Sequence, residues 1–281
     1  MNKTIRYILY FVIIAICIMA VFIGVYNLEL AQNNQHSEII NQTPEENGTN
    51  TKENIVEKFN KLFTNEFLST NYNDSKIEKL DASKPLVYSE SQVANKDGQY
   101  KIDAYLPIIN IKSEVAQKFN SETIENFGNR ANTLMSSQNL AQFTIYETSY
   151  TSYVNNNILS VAIKASIKEG SNAQRVIIKS YNYNLDTGKA VTISDILKTK
   201  GFEEETVNKK IQSEINEASD NSKTVAQSGY EIYKRNAGDQ MYDVKNVDNF
   251  ILGPNGILYI VYAYGNSTNT SEMDVIEVGY E

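Results

Sequence analysis

Residues 143–185 read FTIYETSYTSYVNNNILSVAIKASIKEGSNAQRVIIKSYNYNL. Three runs within this stretch, 143–154, 158–168 and 174–185, are rich in β-branched and tyrosine residues, which is typical of strands. Asparagines 155–157 separate the first two runs, and asparagine tolerates the positive φ that a tight hairpin needs. An EGSN turn separates the second pair of runs. The stretch therefore predicts an antiparallel meander of three strands.

The preceding sequence adds a strand and a helix to this meander. Residues 99–109 alternate apolar and polar side chains as a strand does, and Ser113 can cap a helix that runs to about residue 135. The buried stripe predicted for that helix consists of Ala116, Phe119, Thr123, Phe127, Ala131 and Leu134. We expect this helix to pack on the meander.

The sequence after the meander predicts a second helical layer and more strands. The predicted elements are a short helix capped by Ser194, a helix over about 203–218, a hairpin over 249–264 around GPNG, and a strand over 274–278. The resulting order, β-α-β-β-β-α-β-β-β, is an α+β fold with two main helices packed on a largely antiparallel sheet. We expect this domain to cover residues 85–281, with two subdomains as one alternative, about 85–190 and 191–281.

The chain before residue 85 predicts four segments. Residues 1–6 form a short tail, and residues 7–26 form an apolar run that spans roughly 30 Å as a helix, the thickness of a bilayer core. Residues 27–52 are polar and without period, so we expect a flexible tether. Residues 53–84 begin with a helical period and predict a short helix, a stalk or a lid.

The apolar run predicts a single-pass transmembrane anchor in the cell membrane. Lys3 and Arg6 precede it, so the positive-inside rule keeps the N-terminus cytoplasmic and the bulk of the chain extracytoplasmic. A cleaved signal peptide is the alternative, but the run is longer than such a region usually is and no clear cleavage site follows. The single cysteine, Cys17, and the use of Asn, Lys and Ile indicate a Gram-positive bacterium.

Charge and residue types exclude several function classes. The formal net charge of −8 argues against nucleic acid as a partner, because phosphate binding needs a basic face. His36 is the only histidine and lies in the predicted tether, so no histidine-based triad or metal site can be built. No glycine-rich phosphate loop is present. We therefore expect no catalytic, metal or cofactor residues and no enzyme, although a pair of carboxylates could still serve a glycosidase.

Tyrosine supplies the candidate binding surface. The chain has 19 tyrosines, 10 phenylalanines and no tryptophan, and tyrosine is enriched at recognition surfaces. On strands a row of tyrosines is also typical of a half-buried sheet face, and both interpretations stay open. The candidate residues are Tyr146, Tyr150, Tyr153, Tyr181, Tyr183, Tyr259, Tyr262 and Tyr264.

Three stretches carry a resemblance to a known family. They are ILSV (158–161), YNYNLDTGK (181–189) leading into VTISDIL (191–197), and NF (249–250) with GILYIVY (256–262). The chain over about 85–281 resembles the paired bacterial extracytoplasmic domains of unknown function in anti-sigma-V lysozyme receptors and in the N-terminal part of some peptidoglycan deacetylases. The resemblance implies a surface-exposed α+β ectodomain used for binding. The six-residue tail departs from the receptors, whose cytoplasmic segment binds a sigma factor.

These observations favour a membrane-anchored, non-enzymatic binding module at the cell envelope. Its expected ligand is peptidoglycan or a cationic wall-active protein such as lysozyme, and no cofactor is expected. One alternative is a structural or assembly subunit of a surface complex. The other is a carboxylate-based glycan enzyme.

Overall fold

The computed structural model describes residues 54–69, 72, 77–138, 140–229 and 231–279. The predicted cytoplasmic tail, membrane anchor and tether lie outside the described residues. Across the described ranges, no helix is both long and apolar enough to cross a membrane.

Within these ranges, seven strands form one large sheet around the predicted meander, in the spatial order β2-β3-β4-β5-β6-β7 with β1 beside β4. The strands are β1 (Phe67–Ser69), β2 (Val87–Lys96), β3 (Tyr100–Ile109), β4 (Thr144–Asn155), β5 (Ile158–Glu169), β6 (Arg175–Asn184) and β7 (Lys189–Ala190). Strands β4, β5 and β6 are antiparallel neighbours. Asn156 and Asn157 turn the chain with φ of 48° and 60°, so the meander and its asparagine turn are confirmed.

The sheet contains strands that the sequence did not predict. β2 pairs antiparallel with β3 through a turn at Asp97-Gly98, and its mixed polar sequence leaves most of its side chains exposed. β3 and β1 each pair in parallel with β4, at different halves of that strand. The predicted α+β class is therefore confirmed, but the large sheet is mixed rather than purely antiparallel.

One face of this sheet is covered by a long helical segment made of α2 (Glu114–Thr123), a π turn (Ile124–Gly128) and α3 (Asn129–Ser136). Its predicted stripe is buried at every position. Phe119, Thr123, Phe127 and Ala131 are each four residues apart, so in a regular α-helix the stripe would drift by about 40° at each step. The wider π turn holds more residues per turn and keeps the stripe on the sheet.

The C-terminal part of the chain forms a second layer. It consists of α4 (Ile193–Lys200), α5 (Glu204–Gln227) and the strands β8 (Phe250–Leu252), β9 (Leu258–Ala263) and β10 (Met273–Val278), which pair antiparallel in the order β10-β9-β8. The cap of α4 is Thr192 rather than the predicted Ser194. Thr192 and Asp195 form a reciprocal capping box, in which each side chain accepts a hydrogen bond from the backbone N–H of the other. α5 extends nine residues beyond the predicted end at 218, and this extension is mostly exposed.

Residues 54–69 belong to the folded body. The helical period predicted at the start of 53–84 forms a helix only at α1 (Ile55–Asn60), and after Asn65, with a φ of 61°, the chain enters β1. Phe59 of α1 is fully buried between the large sheet and the second sheet. This segment is thus packed on the domain rather than set apart as a stalk.

The predicted division near residue 190 separates the two sheets in sequence, but a buried polar seam and a shared apolar cluster join them. The Ser160 hydroxyl donates to Asn182 Oδ1 at 2.5 Å and accepts from the Leu252 N–H at 3.0 Å. Asn182 Nδ2 also donates to the Phe250 carbonyl at 2.9 Å. Each of these polar groups has a partner, so burying them carries little penalty and aligns β8 with the large sheet.

Candidate functional site

Seven of the eight candidate tyrosines lie in the interior, and Tyr181 is half-buried. Tyr146, Tyr150 and Tyr183 belong to the core under the long helical segment. Tyr262 and Tyr264 belong to the core under α5. The seven buried rings therefore lie in separate clusters inside the protein and not at its surface.

The polar ends of several tyrosines have defined roles inside the fold. The Tyr146 hydroxyl donates to the Phe127 carbonyl at 2.9 Å, in the π turn, where a backbone acceptor lacks its regular helical partner. The Tyr242 and Tyr264 hydroxyls are 2.8 Å apart, and Tyr264 also donates to Asp274. Burial raises the pKa of Tyr242 to about 12.

A buried ion cluster surrounds Tyr264. Arg235, whose side chain is 6% exposed, donates through Nε to Asp274 at 2.7 Å and through Nη1 to Glu272 at 2.9 Å. The Tyr233 ring stacks on the Tyr264 ring at 3.8 Å between centroids. Each charged group in the ion cluster has a partner of opposite charge, and the cluster holds the segment around residue 235 against β10. We assign this cluster a structural role.

A polar cavity lies beside the π turn, between the long helical segment and the sheet. Its volume is about 360 Å³. Its described lining comes from the π turn, α3, β4, β5 and β6 with their adjoining loops, namely Asn126, Phe127, Arg130, Tyr146, Ala165, Ile167, Glu169, Asn172, Ala173, Arg175, Ile177 and Asn269. Small-molecule pockets typically measure about 300–1,000 Å³, so this cavity fits a small ligand.

Two guanidinium groups and one carboxylate give this cavity its charge. Arg130 forms an ion pair with Glu169. Arg130 Nε is buried and has no hydrogen-bond partner among the described residues. Arg175 donates through Nε to the Gly265 carbonyl and through Nη2 to the Asn266 carbonyl at 3.3 Å. The cavity thus holds one positive charge in excess within its described lining.

Of these lining residues, only Tyr146 is a candidate from the sequence. Arg130 is 39 residues from Glu169 along the chain, and the two meet only because the helical segment crosses the sheet. The EGSN stretch predicts a turn, and the chain does turn there after Glu169 ends β5, but a turn carries no information on what lies above it. A sequence pattern does not show at which position on the sheet a helix will pack.

A second cavity of about 240 Å³ opens beside α2 and β6. Tyr181 and Tyr183 line it with Phe119 and Phe250, so two of the candidate tyrosines do meet at a concave site. Burial, together with the nearby Glu122 carboxylate, raises the pKa of Tyr181. The lining of this second cavity also carries three charged side chains, Lys118, Glu122 and Asp248, but the cavity is smaller than the first. Of the two, we take the first cavity as the candidate site.

No group of three or more His, Cys, Asp or Glu side chains in the described part of the chain could hold a metal ion. His36, the only histidine, and Cys17, the only cysteine, both lie outside that part.

No protein-family model matches the chain, and no curated protein matches it. Among solved structures, it is similar to a DUF3298 family protein from Pseudomonas aeruginosa, with 8% identity, a TM-score of 0.35, and coverage of 64% of this chain and 83% of that one. It is also similar to a member of the DUF3298 family from Bacteroides fragilis, with 12% identity, a TM-score of 0.36, and coverage of 72% of this chain and 92% of that one. These structural neighbours represent a bacterial domain of unknown function, and likenesses this distant carry no argument about activity. The resemblance to anti-sigma-V receptors and deacetylases stays a prediction.

Proposed function

We propose that this protein is a membrane-anchored, non-enzymatic binding module of the bacterial cell envelope, and that it recognises wall glycan in the 360 Å³ cavity. Residues 7–26 would anchor it with the N-terminus cytoplasmic and the folded domain extracytoplasmic. The observation that carries the proposal is the polar cavity with Arg130, Glu169 and Arg175 in its wall.

The lining chemistry suits a sugar. Saccharides present many hydroxyl and amide groups, which planar side chains with several donors and acceptors can bind. Asn126, Asn172 and Asn269 each bring two amide donors and an acceptor, and each guanidinium brings five donors. A ligand with fixed polar groups would be held by hydrogen bonds that water must otherwise supply.

The same lining favours binding over hydrolysis. A glycosidase needs two carboxylates, about 5–10 Å apart, on either side of the scissile bond. Among the described lining residues only Glu169 carries a carboxylate, and it is paired with Arg130. A single carboxylate leaves the second catalytic role of a glycosidase unfilled in this lining.

A second candidate ligand is a cationic wall-active protein such as lysozyme. The net charge of −8 supports it, because an acidic surface attracts a basic partner over several ångströms of solvent. Such binding would use the protein surface and would fall steeply with added salt.

Sedimentation with insoluble peptidoglycan tests the proposal. The full-length chain, purified in detergent, should sediment with sacculi, and Arg130→Gln should reduce the bound fraction at least several-fold. Lys101→Gln is the matched control, since Lys101 also pairs with a strand glutamate, Glu147 at 3.7 Å, but lies outside the cavity. Sacculi that fail to retain the wild-type chain would refute glycan recognition. Retention of the chain on immobilised lysozyme in that case would favour the second candidate.

A further inference from the structure

We infer that the ligand of the 360 Å³ cavity carries a carboxylate, and that Glu169 occupies the place of this carboxylate on Arg130 in the unliganded protein. The inference rests on the proposed glycan-binding function and narrows its ligand to an acidic saccharide. Arg130 would bind the carboxylate of the ligand, and Glu169 would compete with the ligand for Arg130.

Arg130 has hydrogen-bonding capacity that its contact with Glu169 leaves unused. Its contact with Glu169 runs through Nη2, while Nε is buried without a partner within the described structure. Burying a donor without an acceptor is unfavourable. A ligand carboxylate that displaces Glu169 from Nη2 and opens access to Nε would bind both nitrogens, which is the preferred bidentate geometry for arginine.

The described lining of the cavity carries a net positive charge. Arg130 and Arg175 face one carboxylate, Glu169, across the described lining, although the chain as a whole is acidic. Low-dielectric walls strengthen such a field inside a cavity compared with open surface. A ligand carboxylate that replaces Glu169 would keep one negative charge beside the two guanidinium groups, whereas a neutral sugar in that place would leave them with none.

The Glu169 carboxylate on Arg130 can exchange with a ligand carboxylate. The Arg130 and Glu169 side chains are 38% and 43% exposed, so their ion pair is neither deeply buried nor strongly stabilised. A ligand carboxylate can therefore replace Glu169 at small cost, and Glu169 can turn towards solvent. The asparagine amides on the remaining wall would then read the hydroxyl or acetamido groups of the ring.

Isothermal titration of the full-length chain in detergent tests this inference with three probes. N-acetylmuramic acid carries a free carboxylate, its methyl ester removes the charge, and N-acetylglucosamine lacks the group. The acid should bind about 10-fold or more tightly than either neutral probe, as a charge-assisted hydrogen bond is worth about 1.5–3 kcal/mol.

Two variants with opposite expected effects separate recognition from stability. Arg130→Gln should abolish the preference for the acid, while Glu169→Gln should tighten acid binding several-fold because the competitor is gone. Lys101→Gln and Glu147→Gln, on the exposed pair of β3 and β4, should change neither affinity. A purely structural ion pair would instead make both cavity variants less stable and leave the preference unchanged.

Each outcome bears on one proposal or on both. Equal binding of acid and ester would overturn the carboxylate inference and leave glycan recognition standing. Sacculi that retain the chain, with no binding of any of the three probes, would overturn the carboxylate inference and place glycan recognition outside this cavity. Loss of both would overturn both. If Arg130→Gln does not fold, the acid-to-ester ratio of the wild type and the sign of the Glu169→Gln effect still decide.

Discussion

The side-chain amide of Asn266 pairs with the backbone of Ile178 as a neighbouring strand would. Asn266 Oδ1 accepts from the Ile178 N–H at 3.0 Å, and Asn266 Nδ2 donates to the Ile178 carbonyl at 3.1 Å. Other groups continue this along β6: the Thr270 carbonyl accepts from the Val176 N–H at 3.0 Å, and Asn249 Oδ1 from the Ser180 N–H at 3.0 Å. Parts of the C-terminal layer therefore close the outer edge of β6, which would otherwise offer free donors and acceptors.

Replacing this amide should destabilise the domain. Asn266→Ala leaves the N–H and the carbonyl of Ile178 without partners at a part-buried site, and we expect a loss of about 1–3 kcal/mol in the free energy of unfolding. Urea unfolding followed by circular dichroism measures it. Asn95→Ala, at an exposed position on β2, is the control and should change the free energy by less than about 0.5 kcal/mol. Equal effects would show that the Asn266 amide contributes nothing specific.

Gly265, next to Asn266, should tolerate no side chain. A Cβ at this position would overlap the Val176 carbonyl oxygen and lie 2.7 Å from the Thr270 carbonyl oxygen. Both obstacles are backbone atoms on the joint between β6 and the second layer, so they cannot yield as a flexible side chain does. We expect Gly265→Ala to cost about 3 kcal/mol or more, at the upper end for overpacking.

Gly238→Ala is the matched control for this substitution. The nearest atom to its added Cβ would be Asn236 Oδ1 at 3.5 Å, which is ordinary van der Waals contact. Thermal melts of both variants should therefore separate clearly, with the Gly238→Ala melt close to wild type. A Gly265→Ala protein with the wild-type melting temperature would mean that the two layers are held together elsewhere.

The elements that were predictable from sequence carry their signal locally. The meander was predictable because asparagines 155–157 mark its first turn and β-branched residues mark its strands. β2 was missed because VYSESQVANK has no apolar face, and its place in the sheet depends on pairing with β3. β1 was missed because three residues are too few for a periodic signal.

The candidate site was less predictable than the fold, for two physical reasons. The tyrosines of β9 lie on a strand that is buried along its whole length, so alternation along that strand could not reveal an exposed side. The cavity brings Arg130, Glu169 and Arg175 together through the packing of a helix on a sheet. That packing depends on the π turn at Ile124–Gly128, which no residue pattern in the sequence indicates.

Phe59 should be the residue that fastens the N-terminal segment. It is fully buried and contacts the rings of Phe63 and Tyr259, at centroid distances of 5.2 Å and 5.7 Å. Phe59→Ala should cost about 3–5 kcal/mol, the range for large aromatic truncations in a core. Limited proteolysis should then cut first near α1. Phe143→Ala, at a phenylalanine that is 41% exposed, is the control and should leave the cleavage pattern unchanged.

The Arg235–Asp274 contact should be costly to break from one side. Asp274→Asn removes the charge that Arg235 Nε meets at 2.7 Å and turns an acceptor for Tyr264 into an amide. Arg235 keeps Glu272 as a carboxylate partner, so we expect a loss of about 1.5–3 kcal/mol, the range for a hydrogen bond to a charged group. Chemical unfolding measures this loss, and Asp220→Asn, whose ion pair with Lys223 is exposed, should lose less than about 1 kcal/mol. Similar losses for the two variants would contradict the structural role of the cluster.

Tyr242 should make the domain unstable at high pH. Burial raises the pKa of its hydroxyl to about 12, with a further contribution from the Asp274 charge, while an unfolded tyrosine has a pKa of about 10. Between pH 10 and pH 12 the unfolded chain has released this proton and the folded chain has kept it. The unfolded state then binds fewer protons, so the free energy of unfolding falls as pH rises, by about 1.4 kcal/mol per pH unit for this group. Below pH 10 the contribution is fully present.

Tyr242→Phe removes this proton and isolates its share of the pH dependence. The variant loses the hydrogen bond to Tyr264 and should start less stable at pH 7, by about 1 kcal/mol. Its stability should then fall less steeply than that of the wild type above pH 10, so that the two curves cross at about pH 11. Ionisable groups that do not interact with Tyr242 titrate alike in the two proteins, so their contributions cancel in the difference. Parallel curves for Tyr242→Phe and the wild type would mean that the Tyr242 hydroxyl ionises in the folded protein as it does in water.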